Sequence, residues 1–154
     1  MIQSRQEASS TYRSVTTTFA FDTTTWSTSE GTNILNVSID PVSVGNRILL
    51  SARAYIGEVS TTVRVGGAII RNAETVALPG CVALAGGTAT GAGADANVLT
   101  IDCETEATVT TQETYNLYIG PATAATIHLN GNLATGQLLG NGFATNIRAT
   151  EIER

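Results

Sequence analysis

The residue types able to do chemistry are few in this chain. Asp102, Glu104 and Glu106 are spaced by two, so on a continuous strand all three carboxylates share one face. Neighbours then lie roughly 6.5–7 Å apart, too far for two of them to share a proton. An arginine or a cation fits between them, and the separation overlaps that of inverting glycosidases. Any acidic exposed strand gives the same spacing, so a solvated face is the expectation. Arginine pairing across a subunit interface and metal binding are the alternatives. Asp95 and Asn97 offer further oxygen ligands, without the full ligand count of a calcium loop.

The one histidine, His128, sits between Ile127 and Leu129, and no segment reads as a nucleophile elbow. Acid–base catalysis by histidine has a single possible centre, and a structural or surface role is expected. Cys81 and Cys103 form no Cys-x-x-Cys pair, and with one histidine they make a poor zinc site. Two buried reduced thiols are expected. The alternative is a disulfide joining a long loop to the next strand, which needs an oxidising phase. The chain therefore reads as a non-enzyme with no cofactor and no metal.

The elements that hold these residues are strands. At 154 residues the chain has the length of one domain. Aromatics make up 5% and charged residues 14%, and the bulk is Thr, Ala, Gly, Val, Ile and Leu, a composition suited to strands and tight turns. Every basic residue is Arg. The net charge of −5 argues against nucleic acid as a partner. No apolar run approaches a membrane span and no secretory segment follows Met1, so the reading is a soluble product assembled in the cytoplasm.

The clearest element is 46–57. Ile48, Leu50, Ala52, Ala54 and Ile56 fall on one face, and Arg47, Leu49, Ser51, Arg53 and Tyr55 on the other. Its length marks the central strand of a sandwich. Residues 12–21 alternate as a first strand; Ile34, Val37 and Ile39 mark a second, stopped by Pro41. A further strand over 59–71 is interrupted at Gly66-Gly67, read as a bulge or bend. Residues 72–97 are expected to be irregular, with a small-residue loop over 86–95. Strand character returns at 98–103, 114–120, 124–129 and 143–152, with a turn at Asn130-Gly131-Asn132. This makes about eight antiparallel strands, an all-β jelly-roll sandwich over residues 12–154.

Ahead of it, residues 1–11, with Ile2 and Arg5, are polar and carry no strand pattern. They are either a frayed terminus or an arm that orders on a partner. The only tryptophan, Trp26, is expected to plug one end of the sandwich, with an interface as the alternative. Leu138 and Leu139 are adjacent on a glycine-punctuated loop and cannot both face their own core, so one is expected to bury against another chain.

Several of these pieces resemble the small jelly-roll domains of tailed-phage virions, similar in fold to tumour-necrosis-factor and C1q heads. They are Gly45 through Leu50, Val63 through Gly67 with Ile69-Ile70-Arg71, Thr114 through Gly120, Thr126 through Asn130, and Ile147 through Ile152. The resemblance implies a homotrimer that either decorates a capsid or forms the head of a tail fibre. A small chain whose strands start about a dozen residues from Met1 suits the decoration (cement) protein. Its partners would then be itself and the major capsid protein, at the capsid surface of the virion. A receptor- or glycan-binding head is the alternative.

Overall fold

The computed structural model describes residues 1–59, 63–87, 97–132, 136–137 and 143–154. It is all-β, with two antiparallel sheets facing each other. The strands are β1 (Gln3–Ser9), β2 (Arg13–Val15), β3 (Thr32–Ile39), β4 (Arg47–Val59), β5 (Val63–Arg71) and β6 (Val82–Gly87). They continue with β7 (Asn97–Glu106), β8 (Glu113–Pro121), β9 (Ile127–Leu129), β10 (Gly131–Asn132), β11 (Gly136–Gln137) and β12 (Thr145–Ile152). The first sheet runs β1-β12-β4, with β7 on the far side of β4 and β9-β2 continuing past the end of β12. The second runs β3-β8-β5-β6. Four of these pairings are nested in the sequence: β1 with β12, β3 with β8, β4 with β7, and β5 with β6.

The period-two reading of 46–57 holds in β4. Ile48, Leu50, Ala52, Ala54 and Ile56 are all buried between the sheets. They face Val37 and Ile39 of β3, Val65 and Ile69 of β5, and Tyr115, Leu117 and Ile119 of β8 in one core. Strand β4 is central because both of its edges are used: β7 pairs along one, and β12 then β9 along the other. Ile48, Leu50 and Ile56 each contribute roughly 1.5–3 kcal/mol by leaving water.

Three expectations are corrected. Residues 1–11 are no free arm, because Gln3–Ser9 pairs along β12 as an edge strand. Its polar sequence hid it: the sheet holds β1 through backbone hydrogen bonds rather than through an apolar face, and polar edge strands resist unwanted pairing. The 12–21 strand shrinks to Arg13–Val15, since residues beyond Val15 leave the first sheet and cross the outside of the second. The irregular stretch 72–97 contains β6, a regular partner of β5.

The Gly66-Gly67 break is also corrected. Strand β5 keeps an unbroken register with β6 and β8 through both glycines. Their purpose is close approach. Phe19 and Trp26 stack at 4.5 Å between ring centroids and lie flat on the outer face of β5, forming a small second core with Ala68, Ile70 and Ala77. A Cβ on Gly66 would stand 2.7 Å from the Trp26 ring and 2.8 Å from that of Phe19. Trp26 therefore does not plug an end of the sandwich, as expected from the sequence, but covers the outer face of β5, with its indole N–H donating to the Glu30 carbonyl at 3.0 Å. Gly66→Ala is expected to displace the aromatic pair and cost about 1–3 kcal/mol, seen as a lower urea midpoint and a red-shifted tryptophan emission.

Candidate interaction surfaces

The expected acidic ladder exists, on the outer face of the first sheet. Asp102, Glu104 and Glu106 are exposed on β7, opposite Ser51, Leu49 and Arg47 of β4. Glu104 is ion-paired with Arg47, and Glu106 with Arg154 at 3.6 Å. Arg148 of β12 donates from Nε to Gln6 of β1 at 3.0 Å. Glu104 and Glu106 are thus solvated and engaged by arginines of their own chain. Such exposed pairs contribute little to stability. Asp95, the loop 88–96 and the pair Leu138 and Leu139 lie outside the described residues.

His128 is buried, and the pairing of β2 with β9 sets Ser14 opposite it. Its Nδ1 lies 2.6 Å from the Tyr12 hydroxyl and 3.1 Å from that of Ser14, and the Tyr12 ring stacks parallel to the imidazole. A nucleophilic triad puts the serine on one ring nitrogen and an orienting acid on the other. Here both hydroxyls converge on the same nitrogen, which makes the ring a tie between short strands. That is the structural role expected of it.

Cys81 and Cys103 are bonded to each other, correcting the reading of free thiols. Cys81 closes the turn after Leu78 and Cys103 points inward from β7, so the bond stitches one sheet to the other along the flank that carries β6 and β7. Two sulfurs separated by 22 residues give no sign of this until the sheets are stacked.

Two buried carboxylates organise the ends of the sandwich. Glu113 accepts from the Thr108 amide and hydroxyl, both at 2.7 Å, and from the Tyr115 hydroxyl, with the Arg71 guanidinium 3.9 Å away. Burial pushes its pKa up, but the hydrogen bonds from Tyr115 and Thr108 and the charge of Arg71 outweigh that and hold it below the ordinary value. Burial, together with the hydrogen bond to Glu113, raises the Tyr115 phenol.

Glu151 of β12 accepts from Gln3 Nε2 at 2.7 Å, and from Asn46 Nδ2 and the Val42 amide at 2.8 Å. Again burial acts upward, and the hydrogen bonds from Asn46, Gln3, Val42 and Ser43 bring the pKa below the usual 4.5. A carboxylate with a lowered folded pKa stabilises fully above its unfolded value, and that stabilisation disappears as pH falls through the folded one. Below pH 4.5, β1 and the 40–46 loop are expected to loosen before the core does. Hydrogen exchange of the β1 amides measures this, and Glu151→Gln should abolish the pH dependence of the early step.

Among the concave surfaces of the described residues, two lie away from the carboxylates of β7 and beside edge strands. One is a cleft of about 480 Å³ between the edge strands β1 and β3, lined by Glu7, Arg13, Asn33, Leu35 and Asn36. Arg13 donates there to the Ile34 carbonyl at 3.0 Å. Arg5 is exposed on β1, and Ile2 is exposed just before it. The other is an apolar groove of about 290 Å³ beside β6, lined by Phe19, Phe21, Asp22, Trp26, Val82 and Leu84. Phe21 is 55% exposed, Val82 45% and Leu84 50%. Arg64 covers one side of the Phe21 ring at 4.3 Å. Sequence reading missed this groove. The alternation of Val82 and Leu84 is visible in the sequence, within the 72–97 stretch expected to be irregular.

The class these observations define is an antiparallel β-sandwich with its two sheets joined by a disulfide. Comparison with protein-family models and with curated protein sequences found no match to this chain.

Proposed function

We propose that the chain is a trimeric jelly-roll protein of a phage particle, which decorates the capsid by binding the major capsid protein and stabilises the mature shell. The observation that carries the reading is the nested strand pairing, first with last and so on inward to the β5–β6 hairpin. A long hairpin rolled up on itself gives that order, and this supports the jelly-roll reading. A disulfide between the sheets suits a particle released into an oxidising medium. Its work is mass action: a protein that binds only the expanded shell adds free energy to that state and none to its precursors. Three copies on one axis turn weak contacts into firm attachment. The contact elements in this reading are the β1 edge with Ile2 and Arg5, and the Leu138-Leu139 stretch.

Electron microscopy of the intact particle tests the reading directly. Density for the sandwich on the outer shell is the expected result, and a shell lacking the chain sinks it. The tail-fibre alternative draws on a different observation, the exposed Phe21 beside Asp22, Thr24 and Thr25. An exposed aromatic next to hydroxyls and a carboxylate suits the apolar face of a sugar. Binding of the isolated chain to host-cell glycans, lost in Phe21→Ala, would favour that reading.

A further inference from the structure

Four strand ends meet at Asn130, the residue that follows β9. Among the described residues it is the one non-glycine with a positive φ, at 59°. Asparagine tolerates that left-handed backbone better than most side chains do. Its own side chain is buried, and the amide nitrogen donates to the Ser9 carbonyl at 3.0 Å and to the Thr11 carbonyl at 3.1 Å. The amide oxygen accepts from the buried Thr145 hydroxyl at 3.0 Å. Ser9 ends β1, Thr11 leads into β2 and Thr145 opens β12, so one amide clasps three segments to the end of β9.

The residue after it answers a separate demand. A Cβ on Gly131 would stand 2.0 Å from the Gly136 carbonyl oxygen, so the close approach requires glycine. The corner thus needs Asn followed by Gly. Asparagine is chemically labile, and most of all before glycine, whose bare backbone leaves its nitrogen free to attack the side chain.

We propose that Asn130 is a modification site: a clasp that the folded chain protects and that deamidates once the corner opens, making the opening permanent. In the step, the Gly131 nitrogen bonds to Asn130 Cγ as the Cγ–Nδ2 bond breaks, and the Gly131 amide proton leaves with that nitrogen as ammonia. Water then opens the five-membered imide at either carbonyl, giving aspartate or isoaspartate. While the three hydrogen bonds hold, Cγ cannot swing to the Gly131 nitrogen. After the step, the new carboxylate has no N–H to offer. It sets an oxygen against the Ser9 and Thr11 carbonyls, and a buried acceptor without its donor is costly. Isoaspartate also lengthens the backbone, where Gly57 and Gly136 already press on Gly131. The β1–β2 corner then cannot close as before.

The test is peptide mapping by mass spectrometry of the full chain at mildly alkaline pH, folded in one sample and unfolded in urea in the other. The expected result is aspartate and isoaspartate at position 130 in the unfolded sample. In the folded sample they should form at least about tenfold more slowly, since reaction there waits for local opening. The second Asn-Gly pair, Asn141-Gly142, lies outside the described residues and serves as a control in urea. An unfolded chain that keeps Asn130 while Asn141 is lost overturns the modification, and equal rates at 130 in the two samples overturn the protection. Asn130→Asp tests the clasp: amide exchange over residues 9–15 is expected to quicken at least about tenfold, with exchange in β5 and β8 unchanged. Asn130→Gly, which suits the left-handed backbone and lacks the amide, should quicken the same amides and serves if the first variant does not fold. Exchange over 9–15 that matches wild type overturns the clasp.

Discussion

Glu113→Ala lowers the unfolding free energy by about 3–5 kcal/mol, the expected cost of breaking a buried ion pair from one side. Arg71 is why the loss is large. Its guanidinium is buried at the end of β5, and among the described residues its Nε makes no hydrogen bond, lying 3.9 Å from Glu113 Oε2. Its other nitrogens donate to Glu74 at 3.0 Å, to the Thr105 hydroxyl at 2.9 Å and to the Glu106 carbonyl at 2.8 Å. Those partners stand on both sheets, so the network fastens the end of β7 to the ends of β5 and β8. Removing the carboxylate weakens the compensation of a buried cation and takes the acceptor from Thr108, Val109 and Tyr115 at the same time. The double variant Arg71→Met/Glu113→Leu is expected to be more stable than Glu113→Ala, because no buried charge is then left uncompensated and Glu74 is partly solvated. Urea unfolding at unchanged m-value measures both.

Loss of the Cys81–Cys103 bond is the second large effect. Closing a loop with a separation of 22 residues restricts the unfolded chain by about 3 kcal/mol on the loop-entropy model. For a domain of this size the double variant Cys81→Ala/Cys103→Ala should melt roughly 6–12 °C lower. Wild type in strong reductant should fall to about the same temperature, and reductant should leave the double variant unchanged. Calorimetry of the four samples reads all of this. A melting point indifferent to reductant would mean that the bond is not formed in the protein as isolated.

What the sequence made legible follows from where the information lies. Strand β4 could be read because both its edges are paired and one whole face enters the core, so burial wrote its period directly into Ile48, Leu50, Ala52, Ala54 and Ile56. Trp26 could be read as buried from its size and solitude, but its place on the outer face of β5, and not at an end of the sandwich, could not. Strand β1 could not, because what holds it, the backbone ladder to β12 and polar side-chain bonds such as Gln3 to Glu151 and Arg148 to Gln6, leaves no apolar period in the sequence. The Gly66-Gly67 pair misled because what each glycine makes room for, the Phe19–Trp26 stack on one face and Leu99 on the other, is remote in sequence. Among the candidate surfaces, the carboxylate face of β7 was legible from spacing alone. The groove beside β6 was not, since Phe21 and Leu84 meet only once the crossing segment lies over the second sheet.

The nested order of pairing also dictates a history for each molecule. The β5–β6 hairpin joins residues close in the chain, whereas β1 reaches β12 only across nearly the full length, with Gln3 opposite Glu151. Closing short loops before long ones spreads the entropic cost, so the sandwich should assemble from its innermost hairpin outward. A topology so rich in distant contacts folds on the millisecond-to-second scale rather than in microseconds. The last strand to arrive is the first in the sequence. A chain emerging from the ribosome must therefore hold β1 without a partner until β12 has been made.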